Sequence, residues 1–500
     1  TVTSESISDD ASEQSAILQK IGGKRVVPSR VVLKSLPVPS SGSTVYLAEQ
    51  GRQGTFVLRA GSVPVADTQE GVYVASATAG YYWERIYAPA VAPTVRAFGA
   101  KLDGATDDSN AIKGALAVVS AAFIPYTAAG FVADGIDIEP AKGHVIKAEI
   151  RTVWKLKAAS TYAVRVMSGS VAQNYAYVEN FIFDGAAAAN TAGALLINTS
   201  AGVVSGLRAR RLIFRDCGFA YKEETHATNF VVDFELVDCE CFFTRGRQVY
   251  SYRSRGFFRW RDFRINNTYN QAGGRPVVTW NSAYFGDMLG LELYAFDVVG
   301  DVPGSPTNLA YQVGAVGLIF DGRGLLARGS IYGSRILVDN TTGPAIQFID
   351  VFNVELDQVQ AYNNLGVGIW MGNVTKSTFS KIKVVGAKGV TNAAASASGL
   401  AMTNCVKVVI NTLEAEICTG SGLVMTGCSD CQIIGGYSAD NTGYGYYDDS
   451  AGDRNRRIGI TARGNGAGSL FQDKASHATF SWTPNSGVPT ASTIGAATVV

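Results

Sequence analysis

Between Ala345 and Phe471 short apolar patches recur at a fixed interval. They read AIQFIDVFNVEL, GIWMGNVTKSTF, GLAMTNCVKVVI, GLVMTGCSDCQI, GYYDDSAGDRNR and GSLF, starting at Ala345, Gly368, Gly399, Gly422, Gly445 and Gly468. Four of the five steps are 23 residues; the step from Gly368 is 31, and its extra eight fit the Ala/Ser-rich KGVTNAAASAS. Within each unit apolar residues alternate with polar ones or form β-branched patches (FNVEL, KIKVV, KVVIN, CQII, RIGI), and Asn and Gly cluster between them. That pattern predicts strand–turn–strand, not helix. A period of 20–50 residues marks stacked repeats. The leucine-rich consensus is absent, and a propeller blade takes about 40 residues. A coil of a parallel β-helix remains, each coil burying its inner face on the next at about 4.8 Å. Columns must then recur one period apart. Asp350, Asn373, Asn404, Gly427 and Ser450 share one position, all suited to a tight bend, and Cys405 and Cys428 share another.

Upstream the same reading continues with less regularity. VENFIFDGA, LRARRLIFRDCGFA, VVDFELVDCECFF, FFRWRDFRINN, LELYAFDVVG, VGLIFDGRG and SRILVDN read as strand pieces from Lys147 on. Long irregular stretches intervene at 267–287 and 300–314. Loops of that kind on a rigid scaffold are where sites are built. Residues 31–88 alternate short strands (VVLKSLPVP, STVYLAEQ, GTFVLRAG, GVYVAS, YYWERIY) with Gly/Pro/Ser turns, and Pro89 and Pro93 mark a linker. Ala11–Ile21 carries a short helical pattern ended by Gly22-Gly23. In VRAFGAKLDGATDDSNAIKGAL, Thr106-Asp107-Asp108 offers an N-cap, and Ala111, Ile112, Ala115 and Leu116 line one helical face. Such a helix would cover the open strand edges at the solenoid's end. The chain thus divides into a leader with a helix (1–30), a small β module and linker (31–93), a cap (94–146), the β-helix (147–470) and a C-terminal β tail or stub of a tip domain (471–500).

Composition narrows the classes. Lys+Arg 43 against Asp+Glu 42 leaves a formal charge of +1, which argues against a general nucleic-acid binder. No run of 18 apolar residues is present, so no spanning helix is expected. Seven cysteines in so long a chain do not read as a disulfide framework. Cys428-x-x-Cys431 has half the spacing of a zinc site but no second pair nearby; small buried side chains explain it better. Three histidines exclude a histidine-rich centre. No metal and no cofactor are expected.

The opening VRAFGAKLDGATDDSNAI resembles the FGAxxDGxTDDxxAI start of the pectate-lyase-like β-helix superfamily. LAEQGRQGTF, ADTQEGVYV and YYWERIY resemble the collar ahead of the β-helix in phage tailspikes and capsule or exopolysaccharide depolymerases. The detailed similarity spans residues 31–125. It implies an all-β, right-handed parallel β-helix and a homotrimer on the phage virion. Its N-terminal region would join the tail or baseplate. It would act on a bacterial capsular polysaccharide, exopolysaccharide or O-antigen, with no nucleic acid or membrane as partner. The motif's acids Asp103, Asp107 and Asp108 then belong to capping, not catalysis.

Cleaving a glycoside takes paired carboxylates, one protonated and one ionised. Asp184, Asp216, Asp238, Asp262, Asp297, Asp321, Asp339 and Asp357 end apolar pieces and read as turn residues. Asp287, Glu292, Glu235 and Glu240 fall outside that pattern, and their neighbours' alternation points the glutamates outward. They are the catalytic candidates, Asp287 with Glu292 first, against the plainer reading of solvated charges. From Arg245 to Arg264 seven arginines interleave with aromatics. Arg forks carboxylates and aromatic faces stack on sugars. Arg255, Arg259, Arg264, Tyr250, Tyr252, Trp260, Trp280 and Tyr284 are therefore candidates for binding an acidic polysaccharide. A subunit interface fits the same composition. Hydrolysis ranks above β-elimination; a non-catalytic receptor-binding spike and a secreted glycanase are the alternatives. Asp448-Asp449 with Asp453 and Arg454 is only a weak match to a calcium-assisted lyase.

Overall fold

Each repeat unit contributes one short strand and one long strand that bends in its middle or, from Val406 on, breaks there into two. The computed structural model describes residues 20–21, 24–38, 40–87, 93–168, 174–186, 192–224, 229–242, 247–252, 255–266, 283–286, 288–299, 316–323, 330–341, 343–388, 397–448, 454–466, 471–473 and 479–481. Short strands stack in parallel from Ile136–Ile138 to Phe471–Asp473. Long strands stack beside them from Val145–Lys155 onward, each paired in parallel with the next. The result is the expected parallel β-helix.

The bend has a backbone cause. Asn180, Arg211, Asp238, Asp262, Ala295 and Arg335 stand in one column and take left-handed φ of +50° to +68°. A left-handed residue breaks the in–out alternation. Trp260 and Phe263 therefore both face inward, while Arg261 and Asp262 between them face out. The bend splits each long strand into two outer facets, and the short strands form a third. The repeat corner behaves as expected: Asp350, Asn373, Asn404 and Gly427 have φ of +51°, +53°, +52° and +64°.

The core runs the length of the solenoid. Its central part is aromatic, with Phe183 on Phe214, Phe234 on Phe258, Phe263 on Phe296, and Phe285 on Phe320 on Phe348. All seven cysteines are buried thiols, and Cys405, Cys428 and Cys431 each point Sγ at a backbone carbonyl of the preceding coil. Asn364, Asn441 and Asn465 accept backbone amides one coil back, which satisfies turns that would otherwise leave donors buried.

At the N-terminal end, helix α1 (Ser109–Val119) buries Ala111, Ile112, Ala115 and Leu116 against the first coil. The three acids serve the cap differently than an N-cap would. Asp108 receives the amides of Lys101 and Leu102, and its side chain makes no cap bond to the helix. Asp103 closes its own turn on Ala105 and Thr106. Asp107 receives Ser109 and pairs with Lys157.

Four expectations change. Arg30–Ser35, read as strand, is a helix, because Ser29 caps the Val32 amide at 3.3 Å. Lys20–Ile21, read as the end of a helix, pairs antiparallel with Lys24–Arg25; the rest of that pattern lies outside the described residues. Tyr446 pairs with Phe471, two residues beyond the 23-residue step. The coils also pass both drawn boundaries: Ala121–Ile124 already pairs with Val145–Ala148, and Thr479–Ser481 still pairs with Arg456–Ile458.

Candidate functional site

The outward side chains of the central coils form charge ladders along the solenoid axis. On the first facet Arg208, Glu235, Arg259 and Glu292 stand opposite one another on successive rungs. Arg259 Nε donates to Glu292 Oε2 at 2.8 Å. Arg210 Nη2 donates to Glu235 Oε2 at 3.0 Å, and Arg208 Nε lies 3.6 Å from the same oxygen. The Glu292 bond holds the Arg259 guanidinium above its ordinary pKa. These two glutamates are thus bound by arginine.

Across the bend the second facet carries Glu240, Arg264 and Asp297 in register. Burial pushes the Glu240 carboxyl up, while Arg264 and Arg151 pull it down. Burial likewise raises Asp297 against Arg335 and Arg264. Two rungs set the two backbones about 9.5 Å apart. Inverting glycosidases hold their carboxyls roughly 6.5–9.5 Å apart, with a raised pKa on the acid. The ladder thus sets two half-buried carboxyls, both raised by burial, on either side of one cation on an outer face.

The third facet holds tyrosines. Tyr250 stacks on Tyr284 at 5.4 Å and on Tyr252 at 6.3 Å. The Arg247 guanidinium lies 5.0 and 5.2 Å from the Tyr250 and Tyr284 ring centres. The Tyr284 hydroxyl donates to Asp321 at 3.2 Å. Ring faces that stack on one another leave mainly their edges to a ligand.

Against the candidates, the structure brings Glu235, Arg259 and Glu292 together on one facet and Glu240 with Arg264 on the next. Trp260 is corrected: it is fully buried among Tyr221, Phe263, Phe285 and Phe296 and cannot touch a substrate. Asp287 and Trp280 lie outside the described residues. Arg255 opens the strand Arg255–Asn266 opposite Leu289, and its side chain is outside the described set. Asp297, read as a turn residue, sits mid-strand and faces outward. The turn reading holds for Asp216, which is left-handed, and for Asp184 and Asp321, which accept amides two residues on; Asp238 and Asp262 instead sit at the left-handed bend inside their strands. Asp357 also sits within its strand, Val354–Tyr362; what sets Asp297 apart is its register with Arg264, which a single strand does not display. Among the described residues no group of three or more His, Cys, Asp or Glu is arranged to hold a metal.

The fold is a parallel β-helix. No protein family and no curated protein matches the sequence. Among solved structures, tailspike protein 2 of the Escherichia coli O157:H7 bacteriophage CAB120 superposes with a TM-score of 0.53 at 13% identity, over 81% of this chain and 54% of that one. Tailspike protein 3 of bacteriophage CBA120 superposes with a TM-score of 0.50 at 13% identity, over 91% of this chain and 77% of its own. The chain spans about half the length of the first of these.

Proposed function

We propose that the chain is a bacteriophage tailspike that binds and hydrolyses a bacterial surface polysaccharide, whether capsule, exopolysaccharide or O-antigen. The observation that carries this reading is the Glu240–Arg264–Asp297 ladder, two half-buried carboxyls with raised pKa on one outer facet. Either can hold the proton that a leaving sugar oxygen takes, and the other can polarise water. Arg264 between them would orient an anionic sugar and keep one carboxylate ionised. The fold shared with tailspike proteins supports the setting. A homotrimer joined to the tail through its N-terminal region belongs to the same proposal.

Digestion of a panel of purified capsular and exopolysaccharides tests it, reading reducing ends together with ultraviolet absorbance of unsaturated uronate. New reducing ends without absorbance are expected. Glu240→Gln and Asp297→Asn should each slow cleavage by about 10²–10⁴-fold with the fold intact. Full activity in both variants rules this pair out, and absorbance makes the enzyme a lyase. One observation favours a second reading, a receptor-binding spike that does not cut: Glu235 and Glu292 are held in arginine pairs. Silence on a glycan that the protein binds would establish it.

A further inference from the structure

The geometry points to a second, anion-binding groove on the first facet, far down the solenoid from the central ladders. A cleft of about 390 Å³ is lined there by Lys407, Val409, Asp430, Gln432, Arg454 and Arg456. Lys376, Lys407, Asp430 and Arg454 stand in one corner column on successive rungs, with left-handed φ of +47°, +56°, +54° and +74°. Elsewhere the regular coils fill their left-handed corners with Asp, Asn and Gly, which adopt that conformation readily, Ile417 excepted. In this column, which begins at Asn353, three of five positions hold long cationic side chains that adopt it at a cost. The two lysines also face each other across one rung, where like charges repel.

Partners inside the chain absorb these charges only in part. Arg454 pairs with Asp430, its Nε 2.7 Å from Oδ1. Lys376 lies 5.2 Å from the Phe352 ring centre. Lys407 and Arg456 meet no carboxylate among the described residues, and both are exposed. The cleft lining thus carries three cations against one acid in a chain whose formal charge is only +1. Strained backbone and unrelieved repulsion around one cleft are the marks of a site that a ligand completes. The ligand class is a polyanionic glycan with a carboxylate on successive sugars, whose charges would run along the column. A nucleic acid fits less well, because the cleft lining holds no aromatic side chain for bases to stack on. This inference rests on the glycan reading above but not on cleavage.

Calorimetric titration of the full chain with polygalacturonate oligomers at low salt tests it, with dextran as the neutral control and a single-stranded DNA oligonucleotide as the other polyanion. The Lys407→Asn, Arg456→Gln double variant should bind the polyuronate about tenfold more weakly, from the loss of two charge-assisted contacts. Its melting temperature should hold or rise, because Asn accepts the left-handed corner. Unchanged binding in the double variant overturns the inference. So does no binding by the native chain, tighter binding to DNA, or loss of binding on Arg264→Gln in place of the groove variant. Cleavage is not read, so a chain that cuts nothing can still pass.

Discussion

The central coils, 204–299, and the later coils, 345–463, share one architecture and solve it differently. In the later coils the period is nearly fixed, the corner column Asp350, Asn373, Asn404 and Gly427 is small and polar, and the interior is mostly aliphatic with methionines and cysteines, Phe348, Phe379 and Tyr446 being its buried rings among the described residues. In the central coils the spacing is irregular, the corner column holds Arg211, Asp238, Asp262 and Ala295, and the interior is a stack of large rings. Regular coils can rely on turn chemistry repeated rung after rung. Coils interrupted by long insertions have less of it, and large aromatic burial takes its place. The facets bearing the acid–arginine ladders lie over that stiff aromatic stretch, which suits side chains that must hold position.

Removing the anchor of the aromatic stretch should break the comparison most severely. Trp260 touches the rings of Tyr221, Phe258, Phe263, Phe285 and Phe296. Trp260→Ala should cost about 3–5 kcal/mol. Leu400→Ala, packed between Ile369 and Leu423 in the regular coils, should cost about 2–3 kcal/mol. Denaturant melts of both variants check this. Equal losses would mean that the central rings add nothing beyond ordinary burial.

Titration sharpens the contrast between the central ladder and the cap. Glu240 and Asp297 bind protons more tightly folded than unfolded, because burial raises them. Their contribution is therefore fully present below the ordinary carboxylate pKa and lost as pH rises through the raised folded values. At the cap the sign reverses. Burial pushes Asp107 up, but hydrogen bonds from Lys157 and Ser109 outweigh it and hold the group at about 2. Its contribution is present above the unfolded value and lost as pH falls through about 2. Melting temperatures across the acid range should show Glu240→Gln and Asp297→Asn flattening the decline toward neutrality. Asp107→Asn should be destabilised near neutral pH and match the native chain at the acid extreme. The same pH trend in all three variants would contradict the assigned environments.

The two regions also differ in how much of them could be read in advance. The repeat gave away its corners because Asp350, Asn373 and Asn404 recur at steps of 23 and 31 residues, and a recurring small polar residue has few other uses. The cap helix was equally legible, since four apolar residues fall on one face. The ladders were not. Glu240, Arg264 and Asp297 align through steps of 24 and 33 residues (240 to 264 to 297), and no period links them. The bend at Asp262 breaks the parity that would have sent Trp260 inward and so left its face undecided. Glu235, Arg259 and Glu292 could be named as outward singly; only the stacking of rungs shows that they neutralise one another.

The smallest effect concerns the corners themselves. Asn373 has φ of +53° and donates its side-chain amide to Asp350 at 2.7 Å across one rung. Asn373→Ala should cost about 1 kcal/mol, from the left-handed backbone and the lost bond together. Ala295 has the same φ of +53° in the central corner and no side chain that favours it. Ala295→Asn should therefore stabilise the chain by about 0.5 kcal/mol, through the better left-handed propensity of Asn. Chemical melts resolve both signs. If Ala295→Asn destabilises the chain, the central corner is governed by packing around the bend. Its mixed composition would then reflect what each rung must accommodate, not tolerance of poor turn formers.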